Sequence, residues 1–268
     1  MDTRDLARKI RIHSVKMVNW GGSSHIGSVL SMADILAVLY GNILNFDPSN
    51  PELPDRDRVI LSKGHAGAGV YAVLAECGFF PIEWLKQHCQ NGSVLSGHVS
   101  SKGVPGVELS TGSLGHGLSV GVGLALAAKM RKKEYRIYVL LGDGECNEGS
   151  VWEAVMFAAH HHLNNLIVIV DRNHLQSIHS TEQTLNMEPL KEKWRVFGWR
   201  SIPVDGHDHA ELSSVLSQRG SNPMCVIAAT TKGKGVSFME NQVDWHYRTP
   251  TGDLFQQAIR ELEISGDA

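Results

Sequence analysis

The chemistry of this 268-residue chain centres on the triplet Gly142-Asp143-Gly144. Two glycines let a backbone approach a diphosphate closely and adopt positive φ, and the carboxylate between them suits a hard cation. Asn173 lies thirty residues further on. Asp143 and Asn173 each follow a short apolar run, Ile137–Leu141 and Leu166–Val170, so one β-α-β crossover brings the two strand ends together and a single ion can touch both. Mg²⁺ takes about six oxygens in a near-octahedral array; Asp143, the Asn173 amide oxygen, a backbone carbonyl near Leu175 and two diphosphate oxygens supply about five of them. Alone, Gly-Asp-Gly reads as a turn, because both residue types favour turns. The asparagine at this spacing, in a β-α-β context, makes it a candidate site.

The elements that must position these groups are legible from the pattern of apolar residues. Leu6–Val18 and Met32–Leu44 have the spacing of amphipathic helices, the second with Ser31 as its cap. Gly64–Cys77 reads as a helix of small residues, and Gly92–Gly123, rich in Gly, Ser and His, as a long functional loop running into a tightly packed helix. From Arg136 strands and helices alternate: strand Ile137–Leu141, helix Ser150–Leu163, strand Leu166–Val170, helix Leu190–Phe197, strand Ser201–Val204, helix Ala210–Leu216 and strand Met224–Ala229. The expected fold class is α/β, a central parallel sheet flanked by helices on both faces. No linker composition divides it, so residues 1–268 are expected to form a single domain, with ligands in the crevice beyond the strand ends.

A formal charge of -3 and a pI near 6.5 give no electrostatic reason to expect nucleic acid or an anionic membrane as partner. Cys77, Cys89, Cys146 and Cys225 are far apart and read as reduced thiols. The N-terminus lacks the order of a signal peptide, and no apolar run approaches the ~20 residues of a membrane span; a cytoplasmic location is expected. His160-His161-His162 sit on successive helical positions, point in different directions and cannot share one ion. They read as a helix end, where histidine favours the dipole. Gly115, Gly117, Gly121 and Gly123 are expected to allow close helix packing at a subunit interface.

Gly-Asp-Gly followed after about thirty residues by Asn resembles the thiamine diphosphate motif, and the flanks resemble the transketolase family. Gly142-Asp143-Gly144-Glu145-Cys146-Asn147-Glu148-Gly149 has that family's Glu-Gly pair after the triplet. Ser24-His25-Ile26-Gly27-Ser28 is similar to its first histidine segment and Leu61-Ser62-Lys63-Gly64-His65-Ala66 to its second. Gly97-His98 and the run Pro105 to Gly117 are similar to its third, and Thr230 to Gly235 with His246 to the end of the same domain. The resemblance spans residues 20 to 260, with all segments in family order.

What the resemblance implies is a thiamine diphosphate- and Mg²⁺-dependent transfer of a two-carbon ketol unit from a ketose phosphate to an aldose phosphate. It places His25, His65 and His98 along the channel to the cofactor's reactive carbon, where imidazole binds hydroxyls and moves protons because its pKa lies near working pH. It puts His246 near the diphosphate and substrate mouth, and sets Gly112-Ser113-Leu114 against the cofactor's rings. It also makes Glu148 the buried glutamate that reaches across a subunit interface. The cofactor-contacting set is then His65, Gly112, Ser113, Leu114, Gly142, Asp143, Gly144, Glu148, Asn173 and His246, with Asp143, Asn173 and Leu175 on the metal.

Family members carry a pyrimidine-binding and a further C-terminal domain. No segment here resembles either, so a partner chain supplying both is expected, in an α2β2 assembly. Ile26 replaces the family's proline and His116 stands where glutamine is common, which leaves the donor sugar open. The rivals are the corresponding subunit of a 2-oxo-acid dehydrogenase or of a 1-deoxysugar-phosphate synthase, and a non-catalytic regulatory subunit.

Overall fold

Strand Leu166–Arg172, five aliphatic residues followed by Asp171 and Arg172, is buried along its whole length, as the centre of a parallel sheet requires of its apolar part. In a computed structural model describing residues 1–264, it is β3 of five parallel strands: β1 (Arg58–Leu61), β2 (Ile137–Gly142), β3, β4 (Arg200–Asp205) and β5 (Met224–Ala229). Their order across the sheet is β1-β2-β3-β5-β4. Side chains alternate between two cores. Tyr138, Leu140, Ile167 and Ile169 face the layer of α1 (Thr3–Gly21), α2 (Ile26–Val38) and α3 (Gly67–Glu76). Ile137, Val139, Leu141, Val168 and Val170 face α4 (His116–Met130), α5 (Gly149–His160) and, through Trp194, α7 (Leu190–Val196). The chain also forms α6 (Thr181–Leu185), α8 (His209–Leu216) and α9 (Gly252–Ile264).

The parallel sheet covered on both faces is the expected architecture, and β5 has the expected bounds. The second helix differs. It begins at Ile26, after His25, and Ser31 lies inside it, where its hydroxyl bonds Ser28 O and Asp171 instead of capping. Burial on every side hides the amphipathic period that would have marked its start. With the π-turn Leu39–Ile43 it makes an 18-residue stretch apolar and long enough to cross a membrane, yet 83% of that stretch is buried inside the protein. Strand β1, only four residues long, is too short an apolar run to stand out in the sequence.

Two glycines of α4, Gly117 and Gly121, depart from the expectation of a subunit interface. A Cβ on Gly117 would lie 2.5 Å from Ser62 Oγ and one on Gly121 2.5 Å from Val139 Cγ2, so both permit close packing against the chain's own sheet rather than against a neighbouring protomer. Gly115 caps the helix at φ 82° and packs on Glu148 and Ser150. Gly123 alone of the four is exposed, with open space around it.

These surroundings predict opposite signs for one substitution. Gly117→Ala overpacks the α4–β1 contact and costs about 1–3 kcal/mol, whereas Gly123→Ala stabilises by about 0.5–1 kcal/mol through helix propensity. Thermal melts of the two variants check this; equal shifts would exclude the packing account.

Candidate functional site

Parallel register brings the chemistry together. Gly142 pairs with Asp171 across β2 and β3, so Asp143 and Arg172 emerge side by side, and Asn173 follows one residue on. A cavity of about 210 Å³ opens at these strand ends, lined among others by Lys63, His65, Leu114, Asp143, Asn173 and Leu175. A pocket holding a whole drug-sized ligand runs from about 300 Å³ upward; this one has the size for one end of such a molecule.

Each acid at the strand ends has its own environment. Asp143 is buried, accepting from Gly144 N at 2.7 Å through Oδ1, and from His174 N at 2.7 Å and Arg172 Nη1 at 3.0 Å through Oδ2. Burial and the neighbouring Asp171 push its pKa up, and Arg172 opposes them. Asp171, fully buried, accepts from Lys63 Nζ, Thr230 Oγ1, Ser31 Oγ at 2.5 Å and Asn173 Nδ2 at 3.3 Å. Burial raises its pKa, but the Lys63 charge and these donors outweigh burial and hold it below the usual range. The bond from Asn173 Nδ2 fixes the amide so that its Oδ1 is the acceptor, taking Leu175 N at 3.1 Å. Glu145 ties β1, α4 and β2 together by accepting from Ser62 Oγ, Gly115 N and Gly142 N.

Four histidines meet at the mouth. The ring centroid of His25 lies 5.1 Å from His65, 5.8 Å from His98 and 4.9 Å from His246. His25 adopts φ 72°, a left-handed conformation uncommon outside glycine, and its N–H bonds His246 O at 2.8 Å. Burial, then the charges of Lys232, His25 and Lys63, lowers His246 to about 3, and burial with His98 and Lys232 lowers His25 to about 4. His65 is held well below its ordinary value by burial and Lys63. For His25 and His65 this corrects the expectation of imidazoles titrating near working pH. His25, His65 and His246 are neutral there, each able to donate from one nitrogen and accept at the other.

Not every candidate lines the cavity. Leu114 does, while Gly112 and Ser113 are exposed beside it, Gly112 next to the His98 ring. Glu148 is exposed on this chain at the start of α5, on a face that a second subunit could cover, and Glu145 is the acid of the segment that the chain itself buries. Lys63, Lys232, Asp171 and Arg172 belong to the site although the sequence motifs give them no role. Lys232 is almost fully buried; its Nζ lies 3.0 Å from Gln176 O and 3.1 Å from His246 Nδ1, and burial with the repulsion of Lys63 lowers it to about 8. The signal that could have found the two lysines is their place in matched glycine-containing segments, since lysine is an expensive residue to bury without an anion to meet.

These donors fit a diphosphate with a hard cation. Lys63 and Lys232 supply positive charge, the backbone at Gly142 and Gly144 is bare enough for close approach, and Asp143, Asn173 Oδ1 and the Leu175 carbonyl are all-oxygen donors. Among the described residues no group of three or more His, Cys, Asp or Glu forms a metal cluster; such a cation would need oxygens from its ligand.

Comparison with known proteins agrees with this geometry. The family model described as "Transketolase, thiamine diphosphate binding domain" matches residues 2–262. The chain is 45% identical over 247 residues to an apulose-4-phosphate transketolase subunit of Actinobacillus succinogenes, covering 91% of this chain and 90% of that one. It is 39% identical over 269 residues to a 6-deoxy-6-sulfo-D-fructose transketolase subunit of a Clostridium species, covering 99% and 98%. The crystal structure of transketolase from Campylobacter jejuni superposes with a TM-score of 0.91 at 32% identity, over 97% of this chain and 42% of that one.

The depressed histidines set a pH dependence. Between pH 6.5, their ordinary value, and about 4, histidines 25 and 246 bind protons in the unfolded chain and not in the folded one. Stability therefore falls as pH drops through that window and is unaffected by them above it. The thermal midpoint is expected to drop between pH 7 and pH 5, and the drop to shrink in a His25→Asn/His246→Asn double variant. An unchanged drop would trace the acid lability elsewhere.

Proposed function

Because this chain belongs to the transketolase family and matches its thiamine diphosphate-binding domain over nearly its whole length, we propose that it is the diphosphate-side subunit of a two-chain, Mg²⁺-dependent ketol transferase. The observation carrying this reading is the convergence of Asp143, Asn173, Leu175, Lys63 and His65 on one cavity at the ends of neighbouring parallel strands.

In this reading Asp143, Asn173 Oδ1 and the Leu175 carbonyl hold Mg²⁺, and Lys63 and Lys232 balance the remaining charge of the diphosphate. Leu114 gives the cofactor an apolar wall. When bound, the cofactor supplies the electron sink that carbon–carbon cleavage next to a ketose carbonyl requires. His25, His65, His98 and His246 grip sugar hydroxyls; as neutral imidazoles, His25, His65 and His246 can each accept a hydrogen bond from a hydroxyl at one nitrogen and donate one from the other. Relatives of similar identity are named for apulose 4-phosphate and 6-deoxy-6-sulfo-D-fructose. The chemistry common to both names is a ketose with an anionic phosphate or sulfonate group, and that is the proposed donor class.

Two observations support the second chain. The cavity is sized for only one end of the cofactor, and the Glu148 side chain stands exposed at its flank, its carboxylate taking no part in the described side-chain hydrogen bonds. Both fit a pyrimidine-binding subunit docked over the site, with Glu148 meeting it. Two-fold pairing of such units gives α2β2, through an interface of the obligate class, more than about 2,000 Å².

Isothermal titration should show thiamine diphosphate binding that depends on Mg²⁺ and is lost in Asp143→Ala. Ketol transfer should appear only after a pyrimidine-domain partner is added, and alanine variants of His25, His65 or His98 should retain cofactor affinity while losing turnover. Undiminished cofactor affinity in Asp143→Ala would overturn the site assignment, and turnover by this chain alone would overturn the two-chain reading.

A further inference from the structure

Arg172 is the residue between Asp171 and Asn173, and its side chain is the most heavily committed in the site. Its Nη1 donates to Asp143 Oδ2 at 3.0 Å and to Thr181 Oγ1 at 2.9 Å. Its Nη2 donates to Glu182 Oε1 at 2.7 Å and Glu188 Oε1 at 2.6 Å, and Nε reaches Glu188 Oε1 at 3.2 Å. The guanidinium side chain is 4% exposed, whereas Glu182 and Glu188 are 42% and 49% exposed. One buried cation thus joins the inner carboxylate of the cavity to two acids of the surface segment that follows β3. Thr181 and Glu182 belong to α6, and Glu188 immediately precedes the turn into α7.

The consequence for Asp143 is geometric. Its Oδ2 already accepts two hydrogen bonds, from Arg172 and from His174 N, while Oδ1 accepts one, from Gly144 N. Arg172 is the one side chain that bonds Asp143 among the described residues. Resting on the cation site assigned above, we propose that Arg172 is a positioning residue for that site: it occupies Asp143 Oδ2, leaves Oδ1 with a free lone pair for the divalent cation, and couples the carboxylate's orientation to the segment 174–188 through Glu182 and Glu188. A guanidinium suits this better than an ammonium because its planar fork serves three carboxylates in fixed directions. Three acids share its one positive charge, so the cluster as a whole remains attractive to a cation.

The test titrates Mg²⁺ into the full chain at saturating thiamine diphosphate, read by calorimetry, with hydrogen exchange of amides 181–188 followed in parallel. Arg172→Met should weaken the Mg²⁺ affinity about 10–100-fold, the range seen when residues orienting a metal ligand are removed. It should also speed exchange in 181–188; Arg172→Lys should recover part of the affinity. A Glu182→Gln/Glu188→Gln variant, altered only at exposed acids, keeps the fold and should reproduce a smaller loss of Mg²⁺ affinity, which separates positioning from misfolding. Unchanged or tighter Mg²⁺ binding in Arg172→Met, or no effect of the double variant, overturns the role of Arg172 while leaving the cation site standing. Absence of Mg²⁺-dependent cofactor binding in the wild-type chain overturns the cation site and this inference with it.

Discussion

The buried pair of Lys63 and Asp171 is the interaction on which the remaining geometry rests. Lys63 follows the end of β1 and Asp171 lies in β3, two strands away, with the Gly142–Asp143 turn between them. Asp171 also takes hydrogen bonds from Ser31 on α2 and Thr230 after β5, and Lys63 donates to Ser28 O. Three separate stretches of chain are therefore pinned to one carboxylate of β3. Burying two charges is expensive, and removing one partner from such a pair typically costs about 3–5 kcal/mol because the other is stranded. An apolar pair would pack as well but could not orient the Asn173 amide, which needs the Asp171 acceptor. The arrangement trades intrinsic stability for a fixed polar geometry at the strand ends.

From that anchor the site divides into an inner, rigid part and an outer, more adaptable one. Asp143, Asp171, Asn173, Lys63 and Lys232 are buried and held by strand ends. The histidines belong to connecting segments and to the unusual turn at His25, their rings packed tilted or edge-on against one another rather than bonded to carboxylates. In the proposed function, ligand charge is met inside and hydroxyl chemistry outside, so the sugar could change through substitutions around the mouth without disturbing the diphosphate floor, in keeping with relatives named for different sugars.

Much of this was legible in the sequence because parallel strands have a strong local signature and short motifs sit at their ends. The runs 137–141, 166–170 and 224–229 announced β2, β3 and β5, and the spacing of Asp143 and Asn173 followed from the crossover. Helix α2 was misplaced because a helix buried on all sides has no polar face to mark its period. The neutrality of the histidines was hidden because it arises from burial and mutual repulsion among residues more than two hundred positions apart. Arg172 carries no mark in the sequence for a related reason: its partners, Asp143, Glu182 and Glu188, come together only through the β2–β3 register and the fold of the following segment. Glu148 looked like a buried acid by resemblance, and its exposure reflects a face that this chain does not itself cover.

The margins of the sheet bear on how copies of this protein meet in a crowded solution. On one side β4 carries Pro203 in the middle of its six residues, opposite Ile227 of β5, and proline has no amide hydrogen to offer an incoming strand. On the other side β1 is only four residues long, and Arg58 lies over the ring of Tyr135 at its start. Neither margin is a good template for strand addition, the usual route from an open parallel sheet to fibrous aggregates. A chain with such sticky, fully buried central strands is thereby shielded from polymerising edge to edge, and contacts with other polypeptides are channelled to its helical faces and loop-bearing end.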